Sequence, residues 1–166
     1  ACFMGLGYIG LPTAIIAAKH GIQITGVDIN PVVVEKTNAG KLHIVEPGLA
    51  KMLREVVVAG MLHAATEPEV CDAYFIVVPT PFKGDHEPDV SYVEAATRAV
   101  IPYLKEGDLY VIESTSPIGT TESMAKIIFS ERPELRGKIY IAYCPERVLP
   151  GNVIYELEHN DRVIGG

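Results

Sequence analysis

The sequence predicts an α/β fold: a doubly wound, mostly parallel sheet with helices on both faces. Three observations predict it. Short β-rich apolar runs alternate with stretches of helical periodicity along the chain. The continuous apolar run Ala73 to Pro79 reads as a parallel strand buried on both faces. Finally, Gly5-Leu6-Gly7-Tyr8-Ile9-Gly10 has G-x-G-x-x-G spacing and lies between an apolar run and a helix-patterned segment. That context is the Rossmann-type strand, turn and helix.

Taken in order, Ala1 to Met4 is the first strand and the glycines are the turn. Leu11, Ala14, Ile15 and Ala18 then share one helical face, and His20-Gly21 ends that helix. Ile22 to Val27 is the second strand, closed by Asp28. Asn30-Pro31 starts the next helix, with Asn as cap and Pro at the first helical position, and Gly40 stops it. Lys41 to Pro47 connects to a helix over Gly48 to Ala59. Leu62 to Ala65 is a short strand, and Thr66-x-x-Glu69 caps one helical turn. After the Ala73 to Pro79 strand comes a polar loop, Thr80 to Asp89. Ser91-x-x-Glu94 is a capping box opening a helix to about Lys105. Leu109 to Ile112 is a strand, Glu113 to Gly119 a turn, and Thr120 to Phe129 a helix. Ser130 to Lys138 is a loop, Ile139 to Tyr143 a strand, and Cys144 to Asn152 a proline-containing loop. Val153 to Glu158 forms a short helix and Arg162 to Ile164 a last strand.

The 166 residues suffice for one domain with a substantial core, and 48% are hydrophobic. No linker divides them, so residues 1–166 are expected to form one dinucleotide-binding domain. Only four residues precede Gly5 and the end reads as a strand, so a domain fragment is expected. No apolar run approaches the roughly 18 residues of a membrane span. The net charge of −7 argues against a nucleic-acid or anionic-membrane surface. Cys2, Cys71 and Cys144 are odd in number and widely spaced, which points to reduced thiols and a cytoplasmic setting.

Each glycine of the turn has its own physical role. Gly5 permits the turn, Gly7 lets backbone approach a pyrophosphate, and Gly10 lets the helix pack closely. Tyr8 and Ile9 lie between them, where amides at the helix start face phosphates. Asp28 stands eighteen positions after Gly10, close to the roughly 20 expected of an acid that binds ribose hydroxyls. It would repel a 2′-phosphate, and no Arg adjoins it, so the expected cofactor is NAD. Thr80 and Thr115 follow strand ends, where open α/β sheets bind ligands. They either contact a ribose or a water, or do ordinary turn chemistry. In Cys144 to Gly151, Glu146 is a candidate acid/base and Arg147 a phosphate ligand, against the alternative of a surface ion pair. Cys144 reads as a buried structural thiol rather than a nucleophile. His20, His43, His63, His86 and His159 show no metal-ligand spacing, and no metal is expected.

At these residues the chain resembles the UDP-glucose/GDP-mannose dehydrogenase family, N-terminal domain. The matching motifs are Gly5 to Pro12, Val78-Pro79-Thr80-Pro81, Pro88 to Tyr92, Glu113-Ser114-Thr115 with Gly119-Thr120-Thr121, and Cys144 to Val148. His43 to Pro47, Pro81 to Asp89 and Ala142 to Gly151 are most similar to members acting on UDP-N-acetyl-D-mannosamine. The resemblance implies oxidation of the sugar C6 from alcohol to carboxylate in two hydride transfers, with a UDP-N-acetylhexosamine substrate and a full-length homodimer. It implies that Tyr8, Ile9, Asp28, Thr80 and Thr121 contact NAD. It also places Thr115 by the nicotinamide and catalytic water, Glu146 at that water or the substrate, and Arg147 with Val148 at the nucleotide sugar. Pro150 stands where UDP-glucose members carry a second glutamate. The family's nucleophilic Cys and catalytic Lys are expected beyond Gly166, so the fragment alone is expected to be inactive. The sequence also admits two rivals: another dehydrogenase of 3-hydroxyacyl-CoA or 6-phosphogluconate type, and a non-catalytic nucleotide sensor.

Overall fold

The apolar runs pair into the sheet that their alternation with helices predicts. The computed structural model describes residues 1–149 and 151–166, so the expectation at Pro150 lies outside the described residues. In chain order the elements are β1 (Cys2–Met4), α1 (Gly10–Lys19), β2 (Ile24–Val27), α2 (Pro31–Asn38), α3 (Leu49–Val58), β3 (Leu62–Ala65), β4 (Ala73–Ile76), β5 (Phe82–Lys83), β6 (Glu87–Pro88), α4 (Ser91–Val100), β7 (Leu109–Ile112), α5 (Thr120–Glu131), β8 (Tyr140–Tyr143) and α6 (Val153–His159). The main sheet is parallel, in the order β3-β2-β1-β4-β7-β8. The chain winds outward from β1 in both directions, and the reversal between β1 and β4 opens a crevice at their carboxyl ends.

Strand alternation sorts the core into two layers. Cys2 and Met4 of β1 join Tyr74, Ile76, Tyr110 and Ile112 against α4 and α5. Phe3 points the other way, among Leu11, Ile15, Leu49 and Leu53 of α1 and α3. There it stacks on Phe75 of β4 at a centroid distance of 4.7 Å. The register matters most for the site. Val27, Met4, Ile76, Ile112 and Tyr143 form one row across the sheet. The residues that follow them, Asp28, Gly5, Val77, Glu113 and Cys144, therefore emerge along one rim.

The structure corrects several local expectations. Thr66 to Glu69 makes no helical turn: residues 66–72 cross from β3 to β4 as irregular backbone. The third sheet strand after the glycine turn stops at Ile76, not Pro79, and frees Val77 to Pro79 for the rim. The polar loop contains the β5–β6 hairpin, whose two-residue strands are too short to show a period. Ser91 does not cap α4; it is the first helical residue, and Asp89 Oδ1 accepts its N–H at 3.0 Å. Glu94 bonds Arg98 instead of reaching back to the cap. Pro102, which lacks an N–H, turns the end of α4 into a 3-10 turn over Ile101–Tyr103. Arg162 to Ile164 is not a strand: the segment touches the sheet by one antiparallel bridge, Tyr143 to Gly165. Among the described residues no helix is long and apolar enough to cross a membrane.

Candidate active site

A cavity of about 620 Å³ opens at the rim between β1 and β4. The glycine turn is its floor. Gly5 has φ +102°, and a Cβ there would stand 2.4 Å from the Val77 carbonyl oxygen. Both the turn and the neighbouring strand thus demand glycine. A Cβ at Gly10 would stand 1.9 Å from the Gly5 carbonyl oxygen. The close approach expected of Gly10 is therefore made mainly to the turn itself. Gly7 faces open space, with nothing within 4 Å of an added Cβ, and it lines the cavity. No side chain caps α1 and its first turn holds no acid, so the positive end of the helix is available to an anion.

Asp28 does more than end β2. Its Oδ2 accepts the Leu6 N–H at 3.1 Å and its Oδ1 accepts the Asn30 N–H at 2.9 Å. One carboxylate thus ties the glycine turn to the start of α2. His43, from the connector before α3, donates through Nε2 to the Leu6 carbonyl at 2.7 Å and braces the turn from the other side.

The far wall comes from the ends of β4 and β7 and from the loop after β8. Thr80 and Thr115 line the cavity, as do Glu113 and Glu146. Ser114 is buried and donates through Oγ to the Val78 carbonyl at 2.7 Å, which locks the two strand ends together. Arg162 reaches in from the segment near the bridge. Its Nη1 lies 3.2 Å from Glu113 Oε1, and Nη2 pairs with Glu146. Burial pushes the Glu113 carboxyl up to about 7; the Arg162 guanidinium pulls against the shift and the Glu146 carboxylate adds to it.

The structure brings Gly5, Gly7, Tyr8, Ile9, Asp28, Thr80, Thr115 and Glu146 onto one cavity. Gly10 lies behind the turn. Thr121 is in the first turn of α5 and does not line the cavity. Arg147 also stays outside it, donating through Nη2 to the Asp161 carbonyl at 3.0 Å, and Val148 is buried beside it. Cys144 is buried, and its sulfur takes an Arg162 N–H at 3.8 Å, which suits a structural thiol. Sequence reasoning missed two wall pieces, Ala95, Ala96 and Ala99 of α4 with Tyr92 and the Thr66–Pro68 stretch, and also Arg162, which pairs with the wall carboxylates. The small residues of α4 were a visible signal, because a helix face of alanines leaves room beside a sheet. For Arg162 there was none.

These residues fit a dinucleotide: backbone open at Gly7, an uncapped helix behind it, and an acid at the end of β2. The family model for the UDP-glucose/GDP-mannose dehydrogenase family, NAD binding domain, matches residues 1–166. A UDP-N-acetyl-D-mannosamine dehydrogenase of Campylobacter jejuni is 55% identical, over 99% of this chain and 43% of its own length. An NDP-N-acetyl-D-galactosaminuronic acid dehydrogenase of Ralstonia nicotianae is 52% identical, over 98% of this chain and 40% of its own. Among solved structures, the UDP-N-acetyl-mannosamine dehydrogenase Cap5O from Staphylococcus aureus superposes with a TM-score of 0.95 at 43% identity. That match covers 99% of this chain and 41% of the other. The chain spans less than half the length of the relatives it matches.

Proposed function

The chain belongs to the UDP-glucose/GDP-mannose dehydrogenase family as its NAD-binding domain, and from that premise we propose that it is the cofactor half of a nucleotide-sugar 6-dehydrogenase. The reaction proposed is oxidation of UDP-N-acetyl-D-mannosamine to the uronate in two hydride transfers. Residues 1–166 act as one domain, and the complete enzyme works as a homodimer in the cytoplasm. The observation that carries the reading is the single cavity that joins the glycine turn and Asp28 to Thr115 and Glu146.

NAD, when bound, supplies the hydride acceptor. The chain's own residues do the rest. The turn amides and the start of α1, at Gly7, Tyr8 and Ile9, would hold its pyrophosphate. Asp28 keeps lone pairs for the ribose hydroxyls beyond the two amides it already accepts. Thr80 and Thr115 offer hydroxyls at the carboxyl ends of the strands, and Glu146 orients a water or the substrate. Thr121, Arg147 and Val148 reach ligand only if the segments carrying them shift, or if ligand extends past the cavity.

Calorimetric titration of the chain with NAD and with NADP tests the cofactor half: NAD binds more tightly, and equal affinity or an NADP preference refutes the assignment to Asp28. For the complete enzyme, turnover of UDP-N-acetyl-D-mannosamine against UDP-N-acetyl-D-galactosamine tests the sugar. The second sugar is the alternative because the Ralstonia relative is nearly as similar over the same residues.

A further inference from the structure

At the inner end of the cavity one guanidinium serves two carboxylates. The Glu113 and Glu146 side chains are 4% and 6% exposed, and Arg162 faces both. With both acids ionised the cluster carries a net negative charge where little water can screen it. Removing charge from water and placing like charges together both favour one bound proton. Its place follows from the contacts that each carboxylate makes. Glu146 Oε1 accepts the Arg147 N–H at 2.7 Å, and Oε2, without a hydrogen-bond partner among the described residues, is held in the ion pair with Arg162. Glu113 uses Oε1 toward Arg162, while its Oε2 finds no hydrogen-bond partner among the described residues. Among the described residues the other titratable group facing the guanidinium is the Cys144 thiol.

We propose that Glu113 and Glu146 of the cavity wall form one proton-sharing unit with Arg162, in which Arg162 positions both carboxylates and Glu113 exchanges a single proton with the cavity. The unit deepens the dehydrogenase reading and rests on it in one respect. Oxidising an alcohol to an aldehyde sends a hydride to the nicotinamide cofactor and frees the hydroxyl proton. Ionised Glu113 accepts that proton and later returns it to solvent. A group that is present in both states near neutral pH suits that exchange.

The test is a carbon-detected NMR titration of the chain labelled with ¹³C at glutamate carboxyls, with NAD affinity measured on the same samples. One resonance titrates near neutrality and disappears in Glu113→Gln. In Glu146→Gln its midpoint falls by about half a unit or more, because the neighbouring negative charge is gone. Arg162→Lys keeps the coupled titration, since a cation remains. A Glu113 resonance that titrates with the ordinary carboxylates overturns the proposal, as does a midpoint unmoved by Glu146→Gln. Loss of the dehydrogenase reading shows separately, as failure of the wild-type chain to bind NAD.

Discussion

Replacing Asp28 with Ala removes two hydrogen bonds before it touches any ligand. The carboxylate accepts the Leu6 and Asn30 amides at 3.1 and 2.9 Å. Bonds to a charged acceptor contribute about 1.5–3 kcal/mol each when sheltered, but the Asn30 amide is exposed and can turn to water. A loss of about 2 kcal/mol is therefore expected, nearly all of it from the Leu6 contact. For a domain of this size that lowers Tm by about 4–8 °C. The same loss loosens the turn proposed to face the pyrophosphate, and the acceptor proposed for the ribose hydroxyls is gone. NAD affinity should fall at least tenfold, or about 1.4 kcal/mol. NADP affinity should fall less, because the charge that repels its 2′-phosphate is also gone. Asp28→Asn separates the two effects: it retains one acceptor for the Leu6 amide but loses the charge. Thermal melts and paired titrations with NAD and NADP read every part. An Asp28→Ala chain that melts within a degree of wild type and keeps its NAD preference would refute both roles.

Three further outcomes follow from the packing. Gly10→Ala pushes a Cβ into the Gly5 carbonyl, so the turn must shift; urea melts should show a loss of about 1–3 kcal/mol, with NAD binding abolished. Glu46 accepts the Gly151 and Val153 amides at 2.8 and 2.9 Å, so Glu46→Leu leaves the start of α6 unpaired, and hydrogen exchange over 151–155 should accelerate sharply. Glu113 makes stability depend on pH. Its folded pKa of about 7 exceeds the ordinary 4.5, so between those values the folded state binds more protons than the unfolded one. Stability should fall as pH rises through that window, by about 3 kcal/mol at most, and stay flat above it. Glu113→Gln should abolish the slope, which denaturant melts across pH 4 to 8 would measure.

Local signals were strong where one residue type has one physical use. The glycines, Asn30-Pro31 before α2 and the apolar runs of β4 and β7 were legible because turn strain, capping and burial act within a few residues. Asn30 does accept the Val32 N–H, at 3.0 Å. Ser91 differs from the expectation because Val90 takes the cap position and Asp89 Oδ1 accepts the Ser91 N–H, so Ser91 becomes the first helical residue. The β5–β6 hairpin escaped because two residues carry no period.

By itself the sequence determined the fold class, the glycine turn proposed to cradle a dinucleotide and the acid beside it, since these depend on spacing along one strand, turn and helix. Tertiary structure alone decided which distant groups share the cavity. Sheet register sets Asp28, Gly5, Val77, Glu113 and Cys144 on one rim, although they are scattered along the chain. A single bridge near the end of the described chain delivers Arg162 to Glu113 and Glu146. Whether a carboxylate is a surface charge or a buried, protonated group depends on how much water its neighbours exclude, and no spacing along the chain encodes that.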